Sequence, residues 1–237
     1  LAGDNSNVAI GTHAMGGTHA NNTSDYNVAI GNLSMNSAMD GADQNVGIGH
    51  QSLLAITTGL YNVAVGSSAG ASLLSTTGTT AVGKSALVEL TVGTGTTAVG
   101  YEAGAGAVEN DQNTAVGYQA YRYFGQTDSD NNAVFGYQAM LGDGAFQNNS
   151  NIAIGGSNAD GSLLAAMGGQ WETAASSNNI AIGTASLSGV MNGVTGAVAV
   201  GHQALAALTS GAGNTAVGYN SGKLITTGAS NTIMGHG

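Results

Sequence analysis

Thirteen times along this chain, a short run leads into a glycine, and in eleven of the thirteen it reads as a larger residue, a small one and a second larger one. The glycines are Gly11, Gly31, Gly49, Gly66, Gly83, Gly100, Gly117, Gly136, Gly155, Gly183, Gly201, Gly218 and Gly235. The commonest step between them is 17 residues, and the others are 18, 19, 20 and one of 28. A short repeat of this kind restricts a chain more than any single motif can, because each copy is too small to bury its own apolar face and must stack on its neighbours. The repeat therefore predicts an all-β fold, a parallel β-solenoid (β-roll) of about 13 coils. It forms a single continuous domain over residues 1–237, with an insertion at 156–178.

Positions are counted here from the glycine as zero. Position −1 is Val or Ile in most copies, with Phe135 and Met234 as the larger variants, and −3 is Val, Ile or Thr except at Ala133. Position −2 is Ala except at Gly47, Val134 and Ile233. This period-two alternation of β-branched residues is a strand signal. The expectation is that −1 and −3 face the interior, so that Val82, Val99 and Val116 stack in one buried column and Val99→Asp buries a charge. The Ala column at −2 then faces outward against another closely packed surface. Position −4 is Asn in ten of thirteen copies and predicts a ladder of side-chain amides from coil to coil.

After the glycine, +3 is Ala or Ser in eleven of twelve copies, with Asn158 as the break, and +4 is often Leu, Met or Tyr. Several copies then carry an apolar residue at +7 (Ile56, Leu73, Leu90, Leu208, Ile225), followed by a turn such as Thr57-Thr58-Gly59. One coil thus reads as strand, glycine corner, second strand and Thr-Gly turn. At ~4.8 Å between strands, thirteen coils span roughly 60 Å.

Composition narrows the function classes. Only 7% of the residues are charged and the formal net charge is −10, with Lys84, Arg122 and Lys223 the only cations of that count. A chain so poor in basic residues is unsuited to nucleic acid or to anionic lipid. No run of about 20 apolar residues is present, so no membrane insertion is expected. With no cysteine there is no disulfide framework. The abundance of Gly, Ser, Thr and Asn points to an extracellular fibre rather than a cytosolic enzyme. The start at Leu1 suggests a processed product or part of a longer polypeptide.

No catalytic constellation is legible. His50, His202 and His236 share the +1 column with Tyr101, Tyr118, Tyr137 and Tyr219, which reads as an exposed rim. Asp40/Asp43 and Asp128/Asp130 are the places where Ca²⁺ would sit in Asp-rich loops, and solvated turns are the plainer account of them. An ice- or polysaccharide-binding Thr array is disfavoured because Thr at −3 alternates with Val and Ile. The 155–183 step holds a short helix candidate at 162–167 and the only tryptophan. Its apolar residues Leu163, Leu164, Met167 and Trp171 form the candidate partner-contact loop, Trp being the side chain most enriched in binding hot spots.

The sequence Asn-Val-Ala-Ile-Gly at 7–11 and 27–31, with Asn-Ile-Ala-Ile-Gly at 151–155 and 179–183, resembles the head repeat of trimeric autotransporter adhesins. Asn-Thr-Ala-Val-Gly-Tyr-Gln-Ala at 113–120 is similar to repeats in phage tail fibres. The resemblance implies a left-handed β-roll in a homotrimer, exposed on a virion or cell surface. It also implies an adhesive or receptor-binding role without enzymatic activity, toward a host surface receptor or glycan. The usual period in adhesin heads is shorter than the one here. The rival expectation is a self-assembling filament or sheath subunit without a specific ligand.

Overall fold

The computed structural model describes residues 6–17, 24–122, 129–141, 148–156, 166–167 and 174–237. Each motif forms one three-residue strand: β1 (Val8–Ile10), β2 (Val28–Ile30), β3 (Val46–Ile48), β4 (Val63–Val65), β5 (Thr80–Val82), β6 (Thr97–Val99), β7 (Thr114–Val116), β8 (Ala133–Phe135), β9 (Ile152–Ile154), β10 (Ile180–Ile182), β11 (Val198–Val200), β12 (Thr215–Val217) and β13 (Thr232–Met234). The chain falls into two compact units, Leu1–Gln112 and Asn113–Gly237. In the first, β1 to β6 pair in chain order, all parallel and in register, so that Val8, Val28, Val46, Val63, Thr80 and Thr97 form one row. In the second, β7 to β13 do the same, through Thr114, Ala133, Ile152, Ile180, Val198, Thr215 and Thr232. The architecture is a parallel β-solenoid, and no helix occurs among the described residues.

The faces of the strand are the reverse of the expectation. Ala64, Ala81, Ala98, Ala153, Ala181, Ala199 and Ala216 at −2 are fully buried, whereas Ile48, Val99, Phe135, Ile154 and Ile182 at −1 are each more than a third exposed. The reason is the narrowness of the coil. Opposite the strand stands the corner that carries +3 and +4. A Cβ built on Gly47 would lie 2.9 Å from the Ser34 hydroxyl oxygen and 3.1 Å from the Met35 methyl carbon. The Ser34 hydroxyl also donates to the Gly47 carbonyl at 3.0 Å, spanning the interior in a single side chain. Two walls this close favour Ala, Gly or Ser on both sides, and among the −2 residues only Val134 and Ile233 are larger. The Ala column is indeed packed against a close surface, and that surface is the opposite wall of the same coil. Consequently Val99→Asp places its carboxylate outside, and Ala98 is the position where a charge would be buried.

The larger core residues come from the second half of each coil: Met35, Leu53, Leu87, Met140, Leu187 and Leu205 at +4, and Ile56, Leu73, Leu90 and Leu208 at +7, all fully buried. The +4 residues have positive φ, for example 47° at Leu53 and 48° at Leu87. This left-handed backbone costs about 1–2 kcal/mol at a non-glycine residue, and burying the side chain offsets it by about 1.5–3 kcal/mol. The motif glycine is required for a second reason besides its φ of 138° at Gly66. A Cβ there would lie 2.5 Å from the carbonyl oxygen of Gly83 in the next coil.

The Asn column forms the expected ladder. From Asn27 onward, where Asn follows Asn, Oδ1 accepts from the backbone amide and side-chain amide of the next, Asn27 from Asn45 at 2.9 and 3.1 Å and Asn132 from Asn151 at 3.0 and 3.1 Å; at Thr79 and Ala197 the backbone amide alone donates. Each Nδ2 also donates to a carbonyl seven residues before the next coil's glycine, as Asn62 does to Thr76 and Asn132 to Asn148. The buried amide thereby satisfies two backbone groups and itself, as a dry interior demands.

Candidate interaction surface

Three features of the exterior can meet a partner. The largest is the outward face of the strands. Within each unit it presents two columns: −1, made of Val and Ile with Phe135 and Met234, and −3, made of Val, Ile and Thr with Ala133. No Asp, Glu, Lys or Arg occupies either column on any of the thirteen strands. All 16 charged residues of a chain with net charge −10 are thus kept off this face. The repeat forces the side chains outward: the Ala between them has to point in, and strand side chains alternate. The −1 row is apolar on every strand, and −3 adds Val and Ile among Thr; apolar residues in a row, as opposed to scattered ones, mark an interaction face.

The second feature is the +1 rim. Tyr118 and Tyr137 stack with ring centroids 5.2 Å apart, and Tyr219 lies between His202 and His236 at 5.1 Å from each. The Lys84 ammonium sits 5.7 Å from the Tyr101 ring. The rim expected from the sequence is therefore exposed, and its aromatic members pair coil on coil. Stacking consumes their flat faces and leaves the edges for solvent.

The third is the long 155–183 step. Leu163, Leu164 and Trp171 lie outside the described residues. Met167 is fully buried: its amide donates to the Ser186 carbonyl at 3.0 Å, and the Ala166 carbonyl accepts from Met140 at 2.9 Å. Met35 and Ser52 make the same bond at 3.0 Å. Ala166 and Met167 therefore occupy the +3 and +4 places of this coil. Ala166 thus holds the +3 place that counting from Gly155 gave to Asn158, and Met167 belongs to the core instead of a contact loop.

Of the Asp pairs, Asp43 accepts the Asp25 amide at 2.7 Å, Asp128 lies outside the described residues, and the Asp130 amide is held by Asn149 at 2.7 Å. No group of three or more His, Cys, Asp or Glu able to hold a metal ion occurs among the described residues. No described helix is long and apolar enough to cross a membrane. Tyr121 is buried, donates to the Ser129 carbonyl at 2.8 Å, and has its phenol pushed well above the usual tyrosine range by burial. Sequence reasoning missed the outward β face. The available signal was the pairing of two small-residue columns, −2 and +3, which can both be buried only if they face each other.

Compared with known proteins, this chain matches no family model, no curated protein and no solved structure.

Proposed function

We propose that this chain is a structural, non-enzymatic segment of an extracellular fibre, of the phage tail-fibre or surface-adhesin kind. It is a left-handed roll that assembles with copies of itself, three about a common axis, and serves adhesion or receptor binding. One observation carries the reading: an apolar, charge-free face repeated on every strand of a strongly acidic chain. Such a face is stable in water when it is covered, and a second copy covers it without bringing carboxylates together. The rim remains on the outside for a host receptor or glycan. The resemblance of the Asn-x-Ala-Val/Ile-Gly repeat to adhesin heads and tail fibres supports the same assignment.

Light scattering on the eluting protein tests this directly. The expected mass is three times 23.1 kDa, with short rods in negative-stain micrographs. A folded single chain at micromolar concentration contradicts it.

A further inference from the structure

β8 departs from the repeat at all three of its positions. Val134 replaces the interior Ala and is fully buried. Ala133 is the only Ala in the −3 column, and Phe135 is the only aromatic residue in the −1 column. In register, Ala133 lies between Thr114 and Ile152, and Phe135 between Val116 and Ile154. The face thus carries a notch and a protrusion on the same strand, and Phe135 remains 39% exposed.

The arrangement has a simple meaning if copies pack around an axis parallel to the stack. A cyclic interface is heterologous, one side of the face meeting the other side of the next copy. Every strand then meets its own equivalent at the same height, its −1 column against the neighbour's −3 column. Resting on the self-association proposed above, we infer that Phe135 of one copy seats in the space beside Ala133 of the next, a size-matched contact that fixes the axial register between copies. At any other height, Phe135 would meet Thr, Val or Ile in the −3 column and be overpacked. A flat face of near-identical rows offers little else to specify register, since each row resembles the next. The partner is a second copy of this chain in parallel orientation. No charge on the face opposes it.

The test compares the parent with Ala133→Ile, Phe135→Val and the double variant by sedimentation over a range of concentrations. Each single variant should raise the dissociation constant of the assembly about 10-fold or more, one by overfilling the notch and the other by emptying it. The double variant restores the common pattern and should return to within about 3-fold of the parent, because contacting residues are not additive. Ala133→Thr, the commonest polar residue of that column, serves if Ala133→Ile does not fold. Because the chain has no cysteine, the geometry has an independent readout. A mixture of Ile152→Cys and Ile154→Cys chains should cross-link under oxidation, and neither should do so alone. If the parent assembles but Ala133→Ile assembles equally well, or the mixture does not cross-link, the register contact is wrong and self-association stands. If the parent remains a single chain throughout, both fail.

Discussion

Residues 49–100 and 136–183 build the same half-coil and differ in the other half. In the first stretch every step is 17 residues, and the interior is hydrocarbon: Leu53, Ile56, Leu73, Leu87 and Leu90. In the second the steps are 19 and 28, and Met140 and Met167 fill the +4 place. There a second polar ladder joins the Asn column: the Asn148 amide donates to Ser129 at 3.0 Å, the Ser176 amide to Asn148 at 2.9 Å, and the Val194 amide to Ser176 at 3.0 Å. Yet the strand register is the same in both, and so is the close approach of each motif glycine to the carbonyl of the next. The strand and its motif glycine are therefore the obligatory scaffold, and the rest of the coil, in the long step from just after Gly156 onward, tolerates changes of length and chemistry. Insertions fall where coil-to-coil contact is not fixed by a required glycine, which is where recognition can vary on a rigid support.

The contrast is sharpest if the scaffold half fails alike in both regions. Asn62→Ala and Asn151→Ala each strand two buried backbone partners, at roughly 1–3 kcal/mol per unpaired group, for a total of about 2–6 kcal/mol by urea denaturation. A much smaller loss at Asn151 would mean that the second polar ladder substitutes for the first. Next, Gly66→Ala and Gly155→Ala would put a Cβ 2.5 and 2.8 Å from the carbonyl oxygen of the following motif glycine. Each also forces a side chain into a backbone region where strain costs on the order of 1–3 kcal/mol before any clash. Equal destabilisation in the two stretches is expected, and tolerance at Gly155 alone would undo the equivalence.

The polar interior also carries a pH signature. Tyr121 ionises less readily in the fold than in the unfolded chain, where its pKa is about 10. The stability from its neutral phenol is fully present below that pH. It is lost as the pH rises further, at up to ~1.4 kcal/mol per unit, because the unfolded chain releases the proton first. Tyr121→Phe should melt with a shallower decline between pH 10 and 11.5, and an unchanged slope would place the titration elsewhere. The smallest effect belongs to the variable half. Deleting residues 158–165 leaves one residue between Gly156 and Ala166, as in a regular coil, and should change stability by less than about 1 kcal/mol, as for surface loops generally. A large loss would show that the segment is structural.

Much of this was legible in the sequence because a repeat averages out local ambiguity. The thirteen strands, their order, their parallel pairing and the Asn ladder all follow from columns that recur whatever the spacer. The face assignment did not follow, since alternation shows that residues face opposite ways and leaves open which way is in. Hydrophobicity favoured Val99 as the interior residue over Ala98. The interior width decided otherwise: small +3 residues such as Ser34 stand directly across from the strand, beside the Leu or Met found at +4 in most coils. Their left-handed φ is equally invisible, because Leu and Met carry no sign of it. The place of Met167 was hidden for a related reason: counting from Gly155 put Asn158 in its neighbour's slot, and only hydrogen bonding to the adjacent coils restores the register.

The central claim is that Ala faces in and the β-branched columns face out. Ala98→Asp and Val99→Asp, compared side by side by far-ultraviolet circular dichroism at 25 °C, test it most directly. Ala98→Asp buries an unpaired carboxylate, costing at least several kcal/mol, and should lose the β signal. Val99→Asp should keep the β signal, its carboxylate being free to reach water. The opposite outcome, with Val99→Asp unfolded and Ala98→Asp intact, would contradict the account.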